Sequence, residues 1–208
     1  EVQNELLMSL ISTSKDTEIG KKFDFNSIRN YRDFTQRVPV SSYEDYQNLI
    51  ERSRKGEKNI FWPKPINWFA KSSGTTSAKS KFIPVSADSL EDCHYAAGKD
   101  LLCMYLNNNE NSTLFNGKNL RLGGSKELYE ENGTTFGDLS AILIDNMPLW
   151  AEFSSTPGNK VSLMSDWEYK MQAIVNETVN ENVTSLAGVP SWMLVLLNNV
   201  LESTGNKS

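Results

Sequence analysis

Ten consecutive residues, Ser72-Ser73-Gly74-Thr75-Thr76-Ser77-Ala78-Lys79-Ser80-Lys81, hold six hydroxyl side chains, one glycine and two lysines. A nucleotide triphosphate presents several anionic oxygens. Hydroxyls, backbone N–H groups brought close at a side-chain-free glycine, and ammonium groups can each satisfy them. All three donor types occur here, so the segment predicts a phosphate-cradling loop. Two familiar phosphate motifs fail on spacing. A Walker A loop needs a second glycine before its lysine and a helix after it. Here Lys79 lacks that glycine, and Lys81-Phe82-Ile83-Pro84-Val85 is extended, with a proline where a helix would be under way. No Gly-x-Gly-x-x-Gly dinucleotide fingerprint follows a strand. A Ser/Thr/Gly cluster by itself is an ordinary solvated loop; the order of the residues is what favours a site.

The elements that must position this loop are strands. Ile66-Asn-Trp-Phe-Ala-Lys71 follows two prolines and is aromatic-rich, and residues 81–85 are again extended, so the loop joins two strands. Helices are expected around them. Val2, Leu6, Leu7, Leu10 and Ile11 make an amphipathic first helix that the stretch from Thr17 to Gly20 ends, with a short helix around Ile28. Ser42 caps another running to Gly56. Ser86 or Asp88 caps a long helix with the stripe Leu90, Cys93, Ala97, Leu101 and Met104; this face reads as core, and the two cysteines as buried thiols too far apart to bridge. Asn119 to Gly123 is a strand, and Asp138 and Asp166 open further helices. Val183 to Val189 reads as a buried strand, and Pro190 starts a last helix through Met193, Leu196, Leu197, Val200 and Leu201 before Gly205. Alternating helices and short strands predict an α/β layer architecture with at least partly parallel pairing.

Composition bounds the rest. The 208 residues, 38% hydrophobic, allow one sizeable core. A net charge of −5 excludes the basic footprint of a nucleic-acid binder. No apolar run is long enough to span a membrane, and the first residues lack the blocks of a signal peptide, which predicts a cytoplasmic protein. No His/Cys/Asp cluster has metal-ligand spacing. His94, the only histidine, reads as structural on a helix face, Asp138 as a cap, and Asp145 as a solvated or supporting carboxylate.

Ser-Ser-Gly-Thr-Thr followed by lysines entering a strand resembles the phosphate-binding motif of the adenylate-forming superfamily, which includes acyl-CoA synthetases and luciferases. The chain is more closely similar to the auxin-responsive Gretchen Hagen family of acyl-acid amido synthetases, in its bacterial-type members. The likeness rests on Val38-Pro39-Val40, Tyr43-Glu44-Asp45-Tyr46, Gly56-Glu57, Phe69, residues 72–76 and residues 81–85, with Leu122-Gly123-Gly124-Ser125 and Gly188-Val189-Pro190-Ser191-Trp192 also similar. A superfamily glycine expected near Ser77 or Ala78 is replaced, and the adenine- and ribose-binding motifs have no counterpart.

The resemblance implies an α/β fold: the amino-terminal part of the large domain of a luciferase-like enzyme, a mixed sheet with packed helices. Residues 1–208 would contain the ATP loop, with the remainder of that domain and a small carboxy-terminal domain lying outside. It implies activation of a carboxylic acid as acyl-adenylate and its transfer to an amino acid or amine, a reaction the 208 residues alone should not complete. Ser72, Ser73, Thr75, Thr76 and Ser77 would hold phosphate oxygens, and Gly74 would admit the backbone. Lys79 or Lys81 would offset charge on the pyrophosphate, and Mg²⁺ would arrive with ATP. Gly188, Val189, Pro190 and Trp192 would line the acid pocket, although an aromatic beside a helical stripe is more often core. The same loop would also suit a nucleotide-binding or interaction domain without catalysis. The identities of acid and amine, and the oligomeric state, are not legible.

Overall fold

The computed structural model describes residues 1–72, 80–123 and 128–205. In chain order the elements are α1 (Val2–Ser14), α2 (Glu18–Lys22), α3 (Tyr31–Arg37), α4 (Tyr43–Arg54), β1 (Trp68–Lys71), β2 (Phe82–Val85) and α5 (Ala87–Ser89). A π-helical stretch, Leu90–Tyr95, leads into α6 (Ala96–Asn108), followed by β3 (Lys118–Leu122), β4 (Tyr129–Glu131) and β5 (Thr134–Gly137). Then come α7 (Leu139–Asp145), α8 (Leu149–Phe153), β6 (Ser155–Thr156), α9 (Asn159–Ser162), α10 (Trp167–Thr178), β7 (Val183–Gly188) and α11 (Pro190–Thr204). No described helix is long and apolar enough to cross a membrane.

The chain divides into two compact units, one of Glu1–Leu90 with Glu130–Phe136, the other of Glu91–Tyr129 with Gly137–Ser208. In the first, the sheet order is β2-β1-β5-β4, and β1 and β2 are antiparallel with Phe69 opposite Pro84. Pro84 has no N–H to give a ladder, and β2 lies at the edge of the sheet, where none is required. Ile50 of α4 packs with Phe69 and Phe136 on one face of the sheet; Phe69 is stacked on Phe136 at 5.6 Å, with Phe82 edge-on to Phe136 at 5.8 Å. The Arg54 guanidinium covers the Phe82 ring at 3.7 Å, so the stem of a charged side chain closes this small core against water. A separate cluster of Ile11, Phe25 and Ile28 seats α1.

α4 begins in a capping box, as the serine at position 42 predicts. The Ser42 N–H donates to Asp45 Oδ2 at 2.7 Å, and its hydroxyl donates to the same oxygen at 2.9 Å. The first of these contacts, then the second, hold the Asp45 carboxyl below its ordinary value of 3.8. Asp45 therefore contributes stability that is complete above that value and is lost as pH falls through its depressed folded pKa. Asp45→Asn is expected to remove this acid dependence, read as a flatter denaturation midpoint between about pH 5 and pH 2.

In the second unit β3 runs parallel to both β6 and β7, giving the order β6-β3-β7. Leu120 and Leu122 face a core built from Val161, Met171, Ile174, Val175, Met193 and Leu196, on α9, α10 and α11. Asp166 caps α10 by accepting from the Tyr169 N–H at 2.9 Å, and Gly205 ends α11 at φ 69°.

Several expectations change. The stretch after α1 does more than end it: Thr17 caps α2 by accepting from the Gly20 N–H at 3.0 Å. Helical turns flank Ile28 instead of containing it. In α1 the expected stripe is largely solvent-facing, with Ile11 buried but Val2, Leu6 and Leu10 exposed. β7, Val183–Gly188, pairs on one side only among the described residues and is not buried: its Leu186 and the following Val189 are exposed. The stripe of the long helix is not core either. Only Leu90 is buried; Leu101 is 69% and Met104 65% exposed, and both cysteines are exposed. A π turn at Leu90–Tyr95 precedes α6, and α6 buries no residue on any face.

Candidate functional site

In the first unit the candidate region is the base of the predicted loop. β1 ends and β2 begins with the Ser72 N–H donating to the Lys81 carbonyl at 2.9 Å, which ties the two ends of the loop together. The Tyr43 hydroxyl accepts from the Phe82 N–H at 3.0 Å, fixing the second strand to α4. Lys81 lies over the Tyr43 ring at 5.1 Å, and its ammonium pairs with Glu44 at 3.1 Å. That carboxyl is held below its ordinary value, first by a backbone hydrogen bond and then by Lys81. Tyr43, Glu44, Gln47, Ser80 and Lys81 border a cavity of about 310 Å³. Ser73, Gly74, Thr75, Thr76, Ser77 and Lys79 lie outside the described residues.

The second unit by itself holds a cleft of about 510 Å³, within the range of small-molecule pockets. The two-residue alternation of β3 explains it, with Leu122 at the strand end both in the core and at the cleft. Leu120 and Leu122 enter the core below α10 and α11, whereas Asn119 and Arg121 line the cleft together with Ser185 and Ala187 of β7. Across this floor Asn119 Nδ2 donates to Ser185 Oγ at 2.7 Å. The walls come from His94, Tyr95, Gly98, Lys99, Leu101 and Leu102 on one side, and from Leu143, Ile144, Met147 and Trp150 on another. The cleft reaches Gly123 and Gly188, at the carboxyl ends of two parallel strands, where α/β sheets bind their ligands. A Cβ on Gly188 would meet the Leu122 carbonyl oxygen at 3.0 Å, so glycine there permits close packing of β7 on β3.

Two groups in this wall are electrostatically unusual. Tyr95 donates to the Leu143 carbonyl at 2.9 Å, and its phenol is pushed up to about 12 by burial, then by Glu91 and Asp145. It remains a neutral donor at ordinary pH. Arg121 is 6% exposed and burial lowers its pKa, against a weaker opposing effect of Glu152. Lys170, wholly buried, donates to the Gly123 carbonyl at 3.3 Å at the carboxyl end of β3.

A model of the GH3 family N-terminal domain matches residues 1–207. The chain belongs to the GH3 family. Among its relatives, an indole-3-acetic acid-amido synthetase GH3.4 of Arabidopsis thaliana is 36% identical over 84 residues, 40% of this chain and 14% of that protein. A jasmonoyl-L-amino acid synthetase JAR4 of Nicotiana attenuata is 25% identical over 158 residues, 75% of this chain and 26% of that protein. The solved structure of an AtGH3.15 acyl acid amido synthetase in complex with 2,4-DB superposes with a TM-score of 0.80 at 22% identity, covering 97% of this chain and 35% of that one. The chain thus spans a minor part of the relatives it matches, and its fold is that of the amino-terminal portion of GH3 enzymes.

Of the positions singled out for an acid pocket, Gly188 lines the cleft. Val189 and Pro190 are exposed and are not in its wall, and Trp192 packs edge-on against Trp167 at 5.3 Å. His94, read as a packing residue, lies in the wall. Sequence reasoning passed over Arg121, Asn119 and Lys99. The signal for the first two was present, in the alternation Asn119-Leu120-Arg121-Leu122: a charged residue on the second face of a buried parallel strand needs a polar destination.

Proposed function

We propose that this chain is the amino-terminal part of the large domain of an ATP-dependent acyl-acid amido synthetase, and that it grips ATP with residues 72–81 and holds the carboxylic acid in the cleft. The observation that carries this is the antiparallel hairpin whose closed base, Ser72 N–H to Lys81 carbonyl, presents the Ser-Ser-Gly-Thr-Thr segment in a chain of the GH3 family. The names of the relatives, amido synthetases of indole-3-acetic and jasmonic acids, support the reaction class.

In this reaction a carboxylate oxygen attacks the α-phosphorus of ATP, forming the acyl-adenylate as pyrophosphate leaves; an amine nitrogen then attacks the acyl carbon and AMP departs. Ser72, Ser73, Thr75, Thr76 and Ser77 hold phosphate oxygens, and Gly74 lets the backbone approach. Lys79 offsets the charge that builds on pyrophosphate, a role for which the Glu44-paired Lys81 is less free. Mg²⁺ would enter bound to the nucleotide phosphates. The cytoplasm supplies ATP and amino acids for such a reaction and is the compartment we assign.

The test is exchange of labelled pyrophosphate into ATP by the full-length protein. Exchange is expected only when a carboxylic acid is present. Exchange without acid, or none across a panel of aryl and alkyl acids, refutes the assignment.

A further inference from the structure

Among the described residues, Arg121 carries a charge that no neighbour neutralises. Its guanidinium has five N–H donors. They meet the Met147 thioether, the Pro157 carbonyl at 3.4 Å and the Asn159 amide oxygen, while Nε has no partner. All three acceptors are uncharged, and among the described residues no carboxylate lies within ion-pair distance; Glu152 acts on it only through space. An arginine kept only to brace β3 against the 157–159 segment would be outperformed by a neutral side chain of similar volume, because a buried cation without a counter-charge is strongly unfavourable. The weakest of its acceptors, the Met147 sulfur, is itself part of the cleft wall, as is Arg121.

We propose, on the footing of the amido-synthetase assignment, that Arg121 is the specificity-determining residue for the acid: it recognises the carboxylate, which replaces the Met147 thioether as partner of the guanidinium. The apolar tail then lies against Leu101, Leu143 and Trp150. The cleft consequently selects anionic acids over neutral molecules of the same shape.

The probe is 4-phenylbutyrate against its isosteric primary amide, 4-phenylbutyramide, measured by calorimetry on the intact protein without ATP. The carboxylate is expected to bind at least about tenfold more tightly than the amide, the scale of a charge-assisted contact. Arg121→Gln should bring that ratio close to one, and Arg121→Lys should retain most of it. A ratio near one in the unmodified protein, or a ratio unchanged in folded Arg121→Gln, overturns the proposal. A second readout needs no substitution to fold. The Arg121 Nε–H resonance should shift downfield on addition of the carboxylate and stay in place with the amide, and a resonance unmoved by saturating carboxylate is equally fatal. Pyrophosphate exchange plays no part in either measurement. Intact carboxylate selectivity without exchange would therefore fault the assignment of the reaction and leave the role of Arg121 standing.

Discussion

Phe136→Ala is expected to destabilise the first unit by about 3 to 5 kcal/mol, the usual result of truncating a fully buried phenylalanine. The side chain is 1% exposed, stacked on Phe69 at 5.6 Å and met edge-on by Phe82 at 5.8 Å. It therefore touches both strands that flank the proposed phosphate loop. Little can fill the vacancy, because the Arg54 guanidinium on that side already lies over Phe82 and is paired with Glu51 at 2.8 Å. Chemical denaturation of the two proteins should show the loss as a lower midpoint with the slope preserved. ATP affinity should fall as well, since the hairpin base loses the packing that fixes it. A loss below about 1 kcal/mol, the range of surface substitutions, would mean that the aromatic stack does not hold the hairpin.

The second large effect concerns the two lysines. Lys79→Ala is expected to weaken ATP binding about ten- to a hundredfold, as removal of one charge-assisted phosphate contact does. Lys81→Ala should weaken it by less than about fivefold. Lys81 is already neutralised by Glu44 at 3.1 Å, and partly exposed pairs of this kind contribute only about 0 to 1 kcal/mol. Nucleotide titration followed by calorimetry reads both variants. The reverse order of effects would transfer the phosphate contact to Lys81, and no effect in either would remove the loop from the site.

Local chemistry explains why much of the first unit was legible. A capping serine at position 42, prolines that forbid helix before β1, and a proline tolerated on an edge strand are decided by dihedral preferences and by hydrogen bonds within a few residues. The same holds for the capped start of α10, for Pro190 in the first turn of α11 and for Gly205. Parallel pairing followed from helices alternating with strands.

The amino-acid sequence alone determined the longer helices, the strands β1, β2, β3 and β7, and the family, and it singled out the ten residues proposed to hold phosphate, because each depends on residue type and near-neighbour spacing. Only the tertiary structure decided which faces are core. A stripe of apolar residues looks the same whether it is covered by a helix or borders a cleft. Here Leu101, Cys103 and Leu186 lie at the surface because no described element covers their faces. It also brought Arg121 and Met147, 26 residues apart, into one wall. Such a meeting depends on how parallel strands stack and on which neighbour excludes water, and neither is encoded in any short segment.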